Sequence, residues 1–350
     1  MQRGISIVDL AKKIEGNRGL KRDMIVQASK TEMTVQDDGA TALQVNSGDT
    51  YPINELAHDQ LGQYIKVPAP YYDRMRQQAP DLLARNINTW LARSEDRRMA
   101  RTLGGDLRAW LSDKYARIEN EEIAEAVLPV LLDTPGLSIF SAEVTDRRLY
   151  IQATTDRVQG EVKVGDTVQA GVIISNSEVG LGAVSVRPTI FRLVCLNGMV
   201  VPDGKFSARH VGRRIDASED LNAMFSDEAK KADDRALLLK VRDVVKGSLD
   251  EALFGKTLQR MTELTERKIE GDPAKAVEVL AQKIGATEGE RGGILRALIE
   301  GGDTTGWGLL NAVTAQAHGG SYDRAVEFSQ AGGALLNLPK HDWKEILEAA

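Results

Sequence analysis

The spacing of apolar and polar positions divides the chain into a region of strands and a region of helices. Residues 137–144, 149–154, 167–176 and 183–195 alternate with period two, are rich in Val, Ile, Thr and Phe, and are separated by polar or glycine turns. This pattern predicts four antiparallel strands in a meander. After Ser218, a suitable helix N-cap, apolar residues recur with a helical period to the end of the chain.

The residues before the meander include segments with strand-like alternation and segments with helical spacing. Residues 32–46 alternate around Asp37-Asp38-Gly39 and predict a small hairpin, and residues 97–111 predict a second hairpin with its turn at Gly104-Gly105. Three further segments have helical spacing and are bounded or interrupted by prolines. They are residues 54–64, 70–91 and 119–132.

Strands that precede helices are the segregated order of an α+β protein. We therefore predict an α+β fold with a central antiparallel β-meander flanked by helices and a mainly helical C-terminal region. Three parts are expected. They are an N-terminal hairpin with helices (1–66), an α+β core with the meander (67–218) and a helical region (219–350).

Composition narrows the class of protein. The 350 residues are 42% hydrophobic and 27% charged, which is enough to build real cores. No segment approaches the roughly 20 apolar residues of a membrane span, and the first residues lack the apolar core of a secretory signal. We expect a cytoplasmic protein without a membrane partner.

The sequence has few residues that could bind a metal ion or a cofactor. A single cysteine, Cys195, excludes an intrachain disulfide and a thiolate-rich metal site. The four histidines contain no i, i+4 pair, and Gly255-Lys256-Thr257 lacks the first glycine of a phosphate loop because Asp250 stands there. We expect no metal and no cofactor.

The charge is unevenly distributed along the chain. The whole chain has a net charge of -6, yet residues 147–214 contain ten basic residues against five acidic ones, and residues 85–117 contain eight against four. Arginine forks, serine and asparagine side chains and glycine turns are the groups that hold phosphates. The predicted nucleic-acid contacts are Arg147, Arg148, Arg187, Arg192, Asn197, Arg209, His210, Arg213 and Arg214.

Four motifs carry a resemblance to a known family. They are residues 65–75 (IKVPAPYYDRM), 107–115 (LRAWLSDKY), 191–199 (FRLVCLNGM) and 307–314 (WGLLNAVT). In this order they resemble the phage/plasmid-like proteins, a family of unknown function numbered 932. The resemblance implies a mobile-element origin and a bacterial host cell, and it implies no particular activity.

The meander followed by a long helix is similar in layout to single-strand annealing proteins, which form rings and bind DNA in a basic groove. Fold alone does not determine function. The leading hypothesis is a non-enzymatic homo-oligomer that binds single-stranded DNA and promotes strand annealing or recombination.

Two alternatives remain open. One is an enzyme or small-ligand protein with a pocket of Cys195, Asn197 and His210. A polar stripe at i, i+3 and i+7 would extend that pocket if it lies on a helix. Its members are Asn311, Thr314 and His318. The other alternative is a host-takeover or anti-defence factor that binds a protein.

Overall fold

The computed structural model describes residues 4–46, 48–115, 117–182, 184–194, 197–201, 206–208, 227–247 and 249–349. The description below concerns these residues. No helix among them is long and apolar enough to cross a membrane.

The N-terminal elements form two small antiparallel sheets and four helices. In chain order they are α1 (Ile7–Arg18), β1 (Lys21–Gln27), β2 (Thr31–Val35), β3 (Thr41–Val45), β4 (Thr50–Pro52), α2 (Glu55–Tyr64), α3 (Ala69–Gln78), α4 (Pro80–Leu91), β5 (Arg97–Leu103) and β6 (Asp106–Ser112). The sheets have the strand orders β1-β5-β6 and β2-β3-β4. Both predicted hairpins are confirmed, and Gly104 and Gly105 turn the second one with the positive φ angles that favour glycine.

The central part of the chain forms the predicted meander. After α5 (Asn120–Asp133) come β7 (Leu137–Val144), β8 (Leu149–Glu161), β9 (Thr167–Asn176) and β10 (Val184–Arg192), each paired antiparallel with the next. The short strands β11 (Asn197–Val200) and β12 (Phe206–Ala208) both pair with the free side of β10. The α+β class with a central antiparallel meander is therefore confirmed.

The C-terminal region is helical, as predicted. Its helices are α6 (Asp227–Gly247), α7 (Glu251–Glu266), α8 (Pro273–Ile284), α9 (Glu288–Gly301), α10 (Gly306–Ala315), α11 (Tyr322–Leu336) and α12 (Lys340–Leu347). Sequence signals fix the borders of α9, since Thr287 and Glu290 form a capping box at its start and Gly302 ends it in the left-handed conformation.

The large sheet is buried on both faces. Leu149, Ile151 and Val172 pack on one face with residues of α1, α5 and α6. Farther along β9 and β10 the same face contributes Val168 and Ile190 to a second cluster, with the C-terminal helices. On the opposite face Tyr150 and Ile173 pack against residues of α11. Alternation within each strand thus supplies buried side chains to both faces.

A buried histidine of α2 contacts the β2-β3-β4 sheet and helix α3. His58 is 5% exposed, and its ring nitrogens lie 3.0 Å from Thr41 Oγ1 and 2.8 Å from Tyr72 Oη. Burial, reinforced by the charge of Arg76, lowers the pKa of His58 to about 4. The neutral imidazole is therefore the form that the fold accommodates.

We expect this histidine to make stability depend on pH. Between about pH 6.5 and 4 the unfolded chain binds a proton at His58 that the folded chain does not, so the free energy of unfolding falls as the pH falls through this window. The loss from pH 7 to pH 5 is about 2 kcal/mol. Urea unfolding should show this loss in the native chain and in His341→Gln, whose ring is 86% exposed, but not in His58→Gln. Equal pH profiles for all three proteins would contradict the assignment.

Candidate functional site

Two of the predicted arginines lie in the turn between β7 and β8. The hydroxyl of Thr145 accepts hydrogen bonds from the backbone amides of Arg147 and Arg148, at 3.1 and 2.9 Å, which holds the turn in one conformation. The Arg147 side chain is exposed. The Arg148 guanidinium is half-buried and donates to the carbonyl of Leu181, in the loop between β9 and β10.

Arg187 lies in β10, opposite Ile173 of β9, and is also half-buried. Its Nε is buried without a hydrogen-bond partner in the described part of the chain. Burial, and next the positive charge of Arg148, lower the pKa of Arg187. The fold therefore places two cations close to each other.

No carboxylate of the described residues forms an ion pair with these cations. Among the described residues, Arg147, Arg148 and Arg187 form no ion pair. The positive charge of Arg147 acts electrostatically on the carboxylates of Glu55 and Asp59, but neither carboxylate forms an ion pair with it. We call Arg147, Arg148 and Arg187 the basic end of the sheet.

Polar residues at the end of β9 hold this region in place. Ser177 Oγ donates to the carbonyl of Arg147 at 2.9 Å, and Ser175 Oγ lies 2.9 Å from Ser185 Oγ. The amide of Asn176 donates to Ile118 O and Asn120 Oδ1, which ties β9 to the start of α5. Their role is to position the backbone around the arginines.

The remaining predicted contacts of this region follow β12. Its last residue, Ala208, lies opposite Val184, the first residue of β10, at the end of the sheet where Arg148 binds the neighbouring loop. Arg209 is the next residue in the chain. Arg209, His210, Arg213 and Arg214 lie outside the described residues, as does Cys195. Asn197 starts β11 opposite Arg192, and its side chain is not among those described.

Arg192 has a different environment from the basic end. Its Nη2 donates to Asp166 Oδ2 at 2.8 Å, and its Nε also binds that carboxylate. The indole of Trp307 donates to Asp166 at 2.9 Å, and the guanidinium lies 5.8 Å from the Trp307 ring centroid. Arg192 therefore connects the sheet to the C-terminal helices, and the structure does not bring it together with Arg148 and Arg187.

The polar stripe of the alternative pocket is not continuous. Helix α10 ends at Ala315, and His318 lies in a separate 3₁₀ turn, so the three residues do not share one helix. Asn311 donates to Trp307 O at 2.9 Å and Thr314 donates to Asn311 O at 3.1 Å, both along the helix itself. These contacts satisfy the side chains locally.

A buried charge network was not predicted from the sequence. Arg101, in β5, is 1% exposed and donates to the carboxylates of Asp23 and Glu119 and to the carbonyl of Glu178, the last at 2.6 Å. A bulge in β6 leaves Arg108 without a partner residue in β5, and its guanidinium binds Glu178 Oε2 at 2.7 Å.

Three carboxylates of this network surround an ammonium group. Lys21 Nζ lies 2.6 Å from Glu121, 2.6 Å from Glu178 and 3.1 Å from Glu119. The three acids could share a metal ion, but the ammonium of Lys21 already supplies the cation that they surround. Burial alone would raise the pKa of Glu178, but the charges of Arg108 and Lys21 outweigh it and lower this pKa to about 2.

Comparison with known families gives one result. A family model described as a domain of unknown function (DUF932) matches residues 109–335, which is well over half of the chain. The chain belongs to this family. No curated protein and no solved structure matches it.

The family match covers the basic end of the sheet but only part of the charge network. Glu119, Glu121 and Glu178 lie within residues 109–335. Their basic partners Lys21, Arg101 and Arg108 precede it. The motif at residues 65–75 also precedes the matched part, whereas those at 191–199 and 307–314 lie inside it.

Two arginines that share Asp23 allow the charge network to be tested. Arg117 is 55% exposed and binds Asp23 at 3.1 Å, whereas Arg101 is buried. Arg101→Met leaves Asp23 and Glu119 without their buried counter-charge, and we expect it to lower the free energy of unfolding by about 3–5 kcal/mol.

Arg117→Met removes an exposed pair and should cost less than about 1 kcal/mol. Urea unfolding of the two variants at pH 7 measures the difference. Similar small losses in both would show that the network does not hold the fold together.

Proposed function

We propose that this protein binds single-stranded DNA through the basic end of the sheet and promotes strand annealing or recombination without catalysing a reaction. The observation that carries this proposal is that Arg148 and Arg187, two half-buried cations, repel each other and have no ion-paired acid in the described residues. A phosphate would supply the missing negative charge.

The donors at this end suit phosphate oxygens. Arginine presents a planar fork of N–H groups and remains charged even when partly buried. The Nε of Arg187 has no hydrogen-bond acceptor among the described residues, and the exposed Arg147 adds a third cation. Contacts to phosphates position a strand without reading its sequence, so we expect binding with little sequence preference.

The topology adds support from the sequence that follows β12. The chain reaches Ala208 at the same end of the sheet, and four of the predicted contacts come within the next six residues. A sheet of consecutive antiparallel strands followed by the helix α6 also has the layout of single-strand annealing proteins. This likeness is one of arrangement.

The biological setting belongs to the same proposal. We infer a phage or plasmid origin, action in the cytoplasm of a bacterial host, and assembly of several copies. An assembly would bring several basic ends alongside one strand and raise the overall affinity without new contacts. Elements that replicate by recombination have a use for annealing.

We expect binding to weaken steeply with salt. Each neutralised phosphate on a single strand contributes about -0.7 to the slope of log affinity against log salt. Replacing Arg147, Arg148 and Arg187 together by Gln should therefore reduce the slope by about 2 and weaken binding on all sequences alike. The affinity and its salt dependence are measured by fluorescence anisotropy of a labelled 30-nucleotide strand and of its duplex, at low and physiological salt.

A charge-matched control uses exposed residues of three different helices. Lys12, Lys256 and Arg296, replaced together by Gln, change the net charge equally and should leave the slope unchanged. The triple arginine variant should also lose acceleration of pairing between complementary strands. The proposal fails if the native chain does not bind at low salt, or if both triple variants behave alike.

A further inference from the structure

One tryptophan is on the surface, in contrast to the other three. Trp110, Trp307 and Trp343 are buried, whereas Trp90 is 49% exposed near the end of α4. An exposed indole is a large apolar surface left in water, and tryptophans in such positions are frequent at recognition surfaces. The function proposed above does not account for it.

The position of Trp90 follows from the periodicity of α4. Leu83, Ala84, Ile87 and Leu91 face the core, and α4 packs against β2. Leu82, Arg85 and Thr89 are exposed on the opposite face. Trp90 lies at the edge of the buried face, directly before Leu91, in the last turn of the helix. Because the buried residues anchor the helix, the indole is presented on a rigid support.

Two contacts orient the indole. Its Nε1 donates to Asn86 Oδ1, one turn earlier, at 3.2 Å. The guanidinium of Arg93 lies 5.7 Å from the ring centroid, within the range of a cation–π interaction. The ring is therefore held in place and is bordered by a positive charge.

Arg93, which borders the indole, has no ion-pair partner among the described residues. Arg85, Arg93 and Arg97 are exposed and form no ion pair with any described acid. Three exposed acids, Asp81, Glu95 and Asp96, lie in the same stretch, and Asp96 accepts a hydrogen bond from Tyr64. The surface thus combines an aromatic plane with an adjoining guanidinium that no described acid binds.

The side chains around Trp90 favour single-stranded nucleic acid over an apolar protein surface or a duplex. An apolar protein surface would need neighbouring apolar side chains, but Asn86, Thr89 and Arg93 beside the indole are polar. Stacking on an aromatic plane together with phosphate contacts is the way in which proteins hold single strands. In a duplex each base is already stacked on its neighbours, so its face is not accessible to an indole on a convex helix.

We propose that Trp90, bordered by Arg93, stacks on an unpaired base of single-stranded nucleic acid. This inference rests on the proposed function and adds what the basic end of the sheet lacks, namely a contact that distinguishes a single strand from a duplex. Trp90 precedes residues 109–335, so the contact lies outside the family match.

The fluorescence emission of Trp90 reports directly on the proposed contact. Since the other three tryptophans are buried, the emission that differs between the native chain and Trp90→Phe comes from Trp90. Titration with a thymidine oligonucleotide of 20 residues should quench this emission in parallel with the anisotropy signal of a labelled strand. An abasic oligonucleotide of the same length offers phosphates without bases and should not quench it.

Affinity gives a second, independent readout. Trp90→Ala should weaken binding of the thymidine oligonucleotide by roughly 5- to 150-fold, the range for one stacked base. The same variant should bind the abasic strand like the native chain. Tyr71→Ala removes an aromatic side chain of similar exposure, 48%, and should leave both affinities unchanged. Unfolding curves confirm that each variant is folded.

The outcomes separate this inference from the proposed function. Salt-dependent binding with unchanged Trp90 emission and unchanged affinity in Trp90→Ala overturns the stacking and leaves the basic end intact. Equal quenching by the abasic strand also overturns it. Trp90-dependent binding that survives replacement of Arg147, Arg148 and Arg187 supports the stacking and overturns the basic end. Absence of any binding at low salt overturns both.

Discussion

The structure depends on the neutralisation of one buried guanidinium. Taking the Arg101 side chain out of water costs several kcal/mol unless opposite charges and hydrogen bonds surround it. Its partners belong to three segments that are distant in the sequence, since Asp23 lies in β1, Glu119 precedes α5 and Glu178 follows β9. The guanidinium is therefore satisfied only when the β1-β5-β6 sheet, α5 and the large sheet have come together.

The elements that follow local rules were predicted from the sequence. Alternating Val, Ile and Thr residues specified β7 to β10, and glycines specified the turn between β5 and β6. The charge network was not predicted because its contacts join residues 77 and 78 positions apart in the chain. One signal was present, however. Lys21 and Asp23 share one face of β1, and Asp23 pairs with Arg101 across the sheet.

Counts of charge along the chain could not separate arginines that face solvent from arginines that hold the protein together. In residues 85–117 Arg101 and Arg108 point inwards to acids, whereas Arg85, Arg93 and Arg97 remain on the surface. In the second basic stretch Arg192 is bound to Asp166, while Arg148 and Arg187 have no such partner in the part of the chain that the structure describes. The candidate site thus became recognisable only when the position of each acid was known.

The bulge in β6 that directs Arg108 to Glu178 determines which fragments of this protein keep the charge network intact. The family match begins at Ala109, one residue after that arginine. A fragment cut at this border would retain Glu119, Glu121 and Glu178 within 4.8 Å of one another and would lose the lysine and both arginines that neutralise them. The charge network therefore extends beyond the family match, and we expect an exchange of the first 108 residues between relatives to succeed only where the acids and their basic partners are inherited together.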